Sequence, residues 1–400
     1  MIAARLNKRV SGGFTGATRW LDRGGLYVLC GLMLFVAQVT NLIFDNKFQQ
    51  YRYLSESFLA GRLDFAEMPG SSWADTALFG GARYWPLGSF PAVLLSPFVF
   101  ISRLLGATFP QGFLVFALAV WTFYLVFRLA EKLGKVGTER AWMALAFVGS
   151  SSYLAIALVP WSWHLAHIVA VCLLLIAIHE YLGQRRWALI GLILGLVYAS
   201  RPTAGLNVLF FVGALLLGDD HWRTTRNSST RFLGCFLSVV LLVMYYNRAR
   251  FGSPFESGYN YQFGMKPDGP LYGPWNVLSN LRVLLFGVPI RIDRFPFFAA
   301  DPFGMSLLVV SPWLLLLRPL RWDWQDSLLA IDMAVIVLVL LCWWSTGSHQ
   351  MGYRFSLDFL PLLFWHLLRT DAVSVNGPFK IAVFVSVLLN FYFLTTVFNG

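Results

Sequence analysis

Charge is scarce in this chain. Only 13% of its 400 residues are Asp, Glu, Lys or Arg, against 57% that are hydrophobic. A soluble domain carries about 25% charged residues, so a water-facing surface around the whole molecule is excluded. Cysteine is nearly missing as well. The four that occur, Cys30, Cys172, Cys235 and Cys342, all fall inside apolar runs, and there is no Cys-x-x-Cys pair. Disulfides and a thiolate metal site are therefore not expected. Gly-x-x-x-x-Gly-Lys, a dinucleotide fingerprint and His-Glu-x-x-His are all absent from the sequence, which argues against nucleotide hydrolysis. There is no convincing internal repeat.

Long apolar runs are what the chain has in abundance. They recur from end to end at about 20 residues, the length that crosses a hydrocarbon core. The fold class expected is an all-α, polytopic transmembrane helical bundle of about 11 helices, a single integral-membrane domain over 1–400. A basic segment without a small-residue cleavage signature precedes the first run. That run reads as a retained helix rather than a removed signal peptide. The net charge of +11 reads as cytoplasmic loop bias and contact with anionic membrane lipid, not as nucleic-acid binding.

The basic residues set the topology. Arg5, Lys8, Arg9, Arg19 and Arg23 place residues 1–24 in the cytoplasm. The first helix, 25–44, then delivers Asp45 to the outer side. The next basic loop holds Arg128, Lys132, Lys135 and Arg140 and is cytoplasmic, so an odd number of crossings lies between. The stretch 91–105 is short, starts with proline and contains Arg103, so it is read as interfacial. The second helix is 113–127. Residues 45–111 become a long first outer loop with interfacial helices. The third helix covers 141–159, the fourth starts at Ala166, and the fifth ends at Ser200 with Arg201 facing outward. The seventh ends near Tyr246. A second long outer loop spans 247–302. The eighth and ninth helices flank Arg318 and Arg321, and the tenth and eleventh flank Arg369 and Lys380.

In "NLIFDNKFQQYRYLSESFLAGRLDF", Phe48, Tyr51, Leu54 and Phe58 recur every three or four residues, an apolar stripe on one helix face. Gln49, Gln50, Arg52, Glu56 and Ser57 fall between them. The helix is too short and too polar to span. It is expected to lie in the interface and to stop at Gly61.

An acidic residue at the end of the first helix, followed by this amphipathic segment, resembles the GT-C membrane glycosyltransferases. So does the later "GARYWPLGSFPAVLLSPF". The resemblance implies transfer of a sugar from a polyprenyl-phosphate donor to a glycan, lipid or protein acceptor. It implies an Asp in the first outer loop as catalytic base. Asp45 is that residue, although many members have Asp-Glu where this chain has Asp45-Asn46. Asp45 can equally be a solvated helix end. Asp75, in "SSWADTALFGG", is the rival carboxylate.

Other groups gather on the same outer side. "VPWSWHLAHIVA" places His164 and His167 on one face, either as substrate contacts or as aromatic-belt residues. Two histidines do not make a metal site. A divalent ion can assist such chemistry, but no complete ligand set is visible. "YASRPTAGL" presents Arg201, and "STGSHQMGYRFSLDFLP" presents His349, Tyr353 and Arg354. Arginine's planar fork suits phosphate, so Arg201, Arg354 and Arg83 are the candidate donor-phosphate ligands. "NRARFGSPFESGYNYQFGMKPDGP" offers Glu256 and Tyr259 for a sugar or acceptor. The expected setting is a multi-pass protein of a bacterial inner (plasma) membrane, its active face outside the cytoplasm. A transporter, a lipid-linked-sugar flippase and a non-catalytic assembly subunit stay open. Few ionisable residues fall inside the predicted helices, which favours surface chemistry over alternating access.

Overall fold

The computed structural model describes residues 25, 29, 31–36, 39, 47–66, 68, 73–217, 222–262, 269–318 and 322–398. Most of the first predicted helix and Asp45 lie outside these residues.

The protein is a polytopic α-helical membrane protein. Five described helices are long and apolar enough to cross a membrane. They are α3 (Gln111–Lys132), α6 (Ser162–Tyr181), α10 (Trp222–Phe251), α13 (Trp324–Cys342) and α15 (Gly377–Phe398). Shorter helices fill the intervals: α1 (Gln50–Leu59), α2 (Phe90–Leu104), α4 (Glu139–Val148), α5 (Tyr153–Leu158), α7 (Trp187–Ser200), α8 (Pro202–Gly205), α9 (Val208–Leu217), α11 (Val277–Phe286), α12 (Leu307–Val310) and α14 (Leu360–Arg369). Two small antiparallel hairpins complete the described part, β1 (Ala77–Phe79) with β2 (Ala82–Tyr84), and β3 (Ile290–Arg291) with β4 (Phe298–Ala299).

Helix α6 is apolar on every side and is buried around almost its whole circumference, as a central helix must be. Helix α10 is its opposite. Leu237, Leu241, Leu242 and Tyr245 face outward, a surface suited to lipid.

Helix α1 forms where the apolar spacing places it, and Tyr51 and Leu54 are fully buried. It ends at Gly61, with Arg62 N–H bonding Ser57 C=O at 2.9 Å and Gly61 N–H bonding Phe58 C=O at 3.0 Å. These paired bonds close the last turn. The polar side is not solvated as the spacing predicts. Gln49 and Gln50 are fully buried. The Gln49 side chain donates to Pro160 C=O at 3.3 Å and accepts from Gln111 N–H at 3.0 Å. Ser55 donates to Ala92 C=O at 2.7 Å. The amide and hydroxyl groups tie α1 to α2, α3 and the start of α6, so both faces are packed.

Two predicted helices are broken. The third is α4 plus α5, separated by residues 149–152, and the eighth is only α12 followed by a 3-10 stretch, Pro312–Leu316. The two breaks meet. Ser150 C=O accepts from the Ser311 hydroxyl at 2.7 Å and from Trp313 Nε1–H at 3.1 Å. From α15, Asn390 donates to Gly149 C=O at 3.2 Å and to Val310 C=O at 2.9 Å. Unwound backbone survives at membrane depth only when other groups satisfy it this way.

Candidate active site

Loops from distant parts of the chain enclose a cavity of about 1310 Å³. Residues 73–75 and 86–89, on either side of the β1–β2 hairpin, line one wall. The hairpin's two-residue turn, Gly80–Gly81, has φ +58° and +79°, the left-handed pair that matches strand twist and that glycine tolerates. An isolated bridge joins Ala77 to Gln262 of the second long loop. Asp75 precedes the hairpin at φ +58°, half-buried in the cavity wall. The side chains of Gln262 and Trp163 favour its charged form. Burial pushes the Asp75 carboxyl above its ordinary value, and nearby Arg354 opposes that rise.

Arg201 ends α7. Proline at the next position disfavours helical backbone there, and Arg201 is extended at φ −147°. Its side chain meets Asp358 in a two-point pair, Nε to Oδ1 at 2.7 Å and Nη2 to Oδ2 at 2.9 Å. The Thr203 hydroxyl also donates to Oδ2, at 2.5 Å. Burial works against the Asp358 charge, but the Arg201 charge, nearby His167 and the Arg201 hydrogen bonds outweigh it and hold the carboxyl well below the ordinary range.

Arg354 opens the 3-10 stretch Arg354–Asp358. Its residue is 8% exposed and its Nε has no hydrogen-bond partner. Asp358 is engaged by Arg201, and Arg354 has no ion pair among the described residues. Burial, with Arg201 beside it, lowers the Arg354 guanidinium to about 10, so it stays charged at neutral pH. A buried cation that no carboxylate contacts directly, in a large cavity, suits an anion. Phe355 lies under both guanidinium groups, 5.6 Å from Arg201 Cζ and 5.5 Å from Arg354 Cζ.

The cavity brings Asp75, Arg201, Arg354, His167, His349, Glu256 and Tyr259 together. His349 is exposed, edge-on to Trp161 at 6.2 Å. Glu256 is engaged locally, accepting from Gly258 N–H at 2.6 Å and Asn260 Nδ2 at 2.7 Å. Tyr259 packs edge-on against Trp343 at 5.2 Å.

Three candidates stand off the cavity lining. Arg83 stacks on Trp73 at 4.6 Å and donates to the Thr76 hydroxyl at 3.2 Å, so it braces the hairpin. His164 bonds Val159 C=O at 2.7 Å. Tyr353 is buried against Phe355.

Arg250 was not singled out from the sequence, yet it lines the cavity. Its guanidinium donates to Trp85 C=O at 2.6 Å and Asn247 Oδ1 at 2.7 Å, and lies 3.9 Å from the centre of the Tyr246 ring. The signal was "NRAR", where α10 ends and charge returns. Among the described residues no group of three His, Cys, Asp or Glu side chains assembles as a metal site.

No protein-family model and no curated protein matches the chain. Two solved structures are similar. One is ArnT from Cupriavidus metallidurans in the apo state, at 14% identity and a TM-score of 0.52, covering 90% of this chain and 61% of that one. The chain thus spans about three fifths of the length of ArnT. The other is the Archaeoglobus fulgidus oligosaccharyltransferase in the apo form, at 14% identity, with 94% of this chain and 56% of that one covered. Its TM-score is 0.44. The likeness to ArnT, together with the helical architecture, shows that this chain shares the fold of that protein.

Proposed function

We propose that this protein is a membrane glycosyltransferase that moves a sugar from a polyprenyl-phosphate donor to an acceptor hydroxyl, with inversion, at the outer face of the membrane. One observation carries the reading: a buried, unpaired Arg354 and a desolvated Asp75 share a single cavity. Apolar side chains of two spanning helices line the same cavity, Val240, Val243 and Met244 from α10 and Val339 and Leu340 from α13. Cation and apolar wall together suit a phosphate on a lipid chain. The tryptophans of the wall, Trp73, Trp161, Trp163, Trp343 and Trp344, suit the C–H faces of a sugar.

In the step proposed, Asp75 takes the proton of the acceptor hydroxyl. The oxygen attacks the anomeric carbon as the bond to the phosphate oxygen breaks. Polyprenyl phosphate leaves with that electron pair, and Arg354 meets its charge. Arg201 supports the field but is held by Asp358. A single displacement inverts the carbon. Desolvation suits Asp75 to the work, because a base of raised pKa takes a proton more readily. A divalent ion would add charge here, but the described residues hold no assembled ligand set for one.

The test is sugar transfer by the purified protein from a polyprenyl phosphosugar. Asp75→Asn should keep donor binding and lose turnover by about 100- to 10,000-fold, the range of general-base catalysis. Full transfer by Asp75→Asn, with loss in Asp45→Asn, would return the role of base to Asp45.

A further inference from the structure

His167 lies on α6, is 1% exposed and lines the cavity. Neither ring nitrogen has a hydrogen-bond partner among the described residues. Its Nδ1 is 3.6 Å from Asp358 Oδ1, close enough to choose a tautomer though too long for a full bond. A carboxylate only accepts, so the nitrogen facing it carries the hydrogen. That leaves Nε2 with a lone pair, a buried acceptor with nothing to accept from. Nature rarely leaves such a group empty when its site is occupied.

The place of this acceptor narrows what fills it. The Phe355 ring, which underlies both guanidinium groups, also stacks on His167 at 6.1 Å and 24°. His167 thus shares the Phe355 ring and the cavity with the cations assigned to the donor phosphate. The lone pair repels phosphate oxygens and attracts an O–H. In a glycosyl phosphate the O–H groups nearest the phosphate belong to the sugar itself.

We propose that His167 is a specificity-determining contact for the donor sugar: its Nε2 accepts a hydrogen bond from a hydroxyl of the glycosyl group whose phosphate sits on Arg354. This rests on the glycosyl-donor reading above. Asp358 is the positioning residue, since it orients His167 and Arg201 from the same carboxylate.

The experiment measures binding by the full chain in lipid nanodiscs. The probes are undecaprenyl phosphate alone and undecaprenyl phosphates carrying glucose, mannose or galactose. Two variants separate the ring nitrogens. His167→Asn keeps an N–H for Asp358 and has no atom where Nε2 stood. His167→Gln reaches that point with a carbonyl oxygen. Both are polar and smaller than or similar to histidine, and Asp358 keeps Arg201 and Thr203 in each. His167→Asn should lose about 3- to 10-fold on the hexosyl probe that wild type binds best, the worth of one net hydrogen bond, and nothing on the bare lipid phosphate. His167→Gln should retain most of the hexosyl affinity. An equal loss on bare and hexosyl probes overturns the assignment, and so does no loss in His167→Asn. If wild type itself binds no hexosyl probe more tightly than the bare phosphate, the glycosyl-donor reading fails and the assignment falls with it. If wild type discriminates and His167→Asn discriminates equally, only the role of His167 falls.

Discussion

Helix α14 has an Asp–His–Arg cluster at each end, about 15 Å apart at 1.5 Å per residue. Before its start, Asp358 meets Arg201 and His167. In its last turn, His366 and Arg369 meet Asp326 of α13. The residue types are the same and both aspartates are buried. The second cluster is closed. His366 Nδ1 bonds Asp326 at 2.9 Å, Arg369 bonds both Asp326 and Asp323, and the two aspartates form a capping box at the start of α13. That cluster ties one helix to another and leaves no partner over. The first is open. His167 has no hydrogen bond, and the neighbouring Arg354 makes no contact ion pair among the described residues. An open cluster is thus told from a structural lock by what remains unsatisfied, not by which residues are present.

Substituting one arginine at each end should break the symmetry most sharply. Arg354→Gln should lower sugar transfer by about 100- to 1000-fold, the usual loss when one preorganised electrostatic donor is removed. It should not destabilise the fold, because it removes an unpaired buried charge. Arg369→Gln should do the reverse. Leaving Asp326 without its cation should cost about 3 kcal/mol of stability, seen as a lower melting temperature, while the surviving folded protein turns over normally. Equal loss of transfer in both would mean that the two ends do not differ in role.

The pH dependence sharpens the same contrast. Burial raises the Asp75 carboxyl and Arg354 opposes it. The acid limb of the transfer profile should therefore lie above the ordinary carboxylate range. Removing the cation in Arg354→Gln should move that limb higher still, because the strongest influence favouring the ionised form is then gone. Arg369→Gln should leave it in place. A downward shift in Arg354→Gln would show that Asp75 is not the group titrating.

The sequence carried much of this and withheld the pairing. Apolar runs disclosed the spanning helices because a hydrocarbon core demands length and hydropathy, both local properties. The breaks at 149–152 and 311 were harder. Their carbonyls are satisfied by Asn390 and Trp313, far along the chain, so a local reading joined each run into one helix. The burial of Gln49 escaped for a similar reason, since its partners are Pro160 and Gln111. At the site, Arg201 and Arg354 looked equivalent as outward arginines. Only the contact of Arg201 with Asp358, 157 residues away, separates the engaged cation from the free one. Arg250 escaped because it closes a long apolar helix, where a snorkelling arginine is the ordinary reading.

A smaller effect is expected where the first loop meets the cavity cluster. Gly88 packs against the end of α7, and a Cβ there would stand 2.2 Å from Ala199 O and 2.5 Å from Ser200 O. These are backbone atoms just before Arg201, so they cannot swing aside. Gly88→Ala should cost about 1–3 kcal/mol, as overpacking does, and displace Arg201 enough to weaken donor binding. The closed cluster at Asp326 should be untouched, which spectroscopic probes placed on α13 can check. An unshifted melting temperature would mean that loop and helix separate easily.

The smallest effect concerns what holds Gly88 there. Tyr51 is fully buried, its hydroxyl donates to Gly88 C=O at 3.0 Å, and its ring meets Trp85 edge-on at 5.7 Å. Tyr51→Phe keeps the ring contact and the apolar burial. It deletes one hydrogen bond and leaves a carbonyl unpaired, a loss of about 1 kcal/mol. Melting should drop by a few degrees at most, and transfer should fall only several-fold, since α1 still packs through Leu54 and Ser55. Tyr51→Lys places a charge in the same buried spot and should abolish transfer. The two variants divide the work of this side chain between its hydroxyl and its ring. If Tyr51→Phe proves as stable and active as wild type, the loop is seated by packing at Gly88 alone. If it fails as badly as Tyr51→Lys, the one hydrogen bond from α1 sets the position of Arg201, and the open cluster depends on the first loop in a way the closed cluster at Asp326 does not.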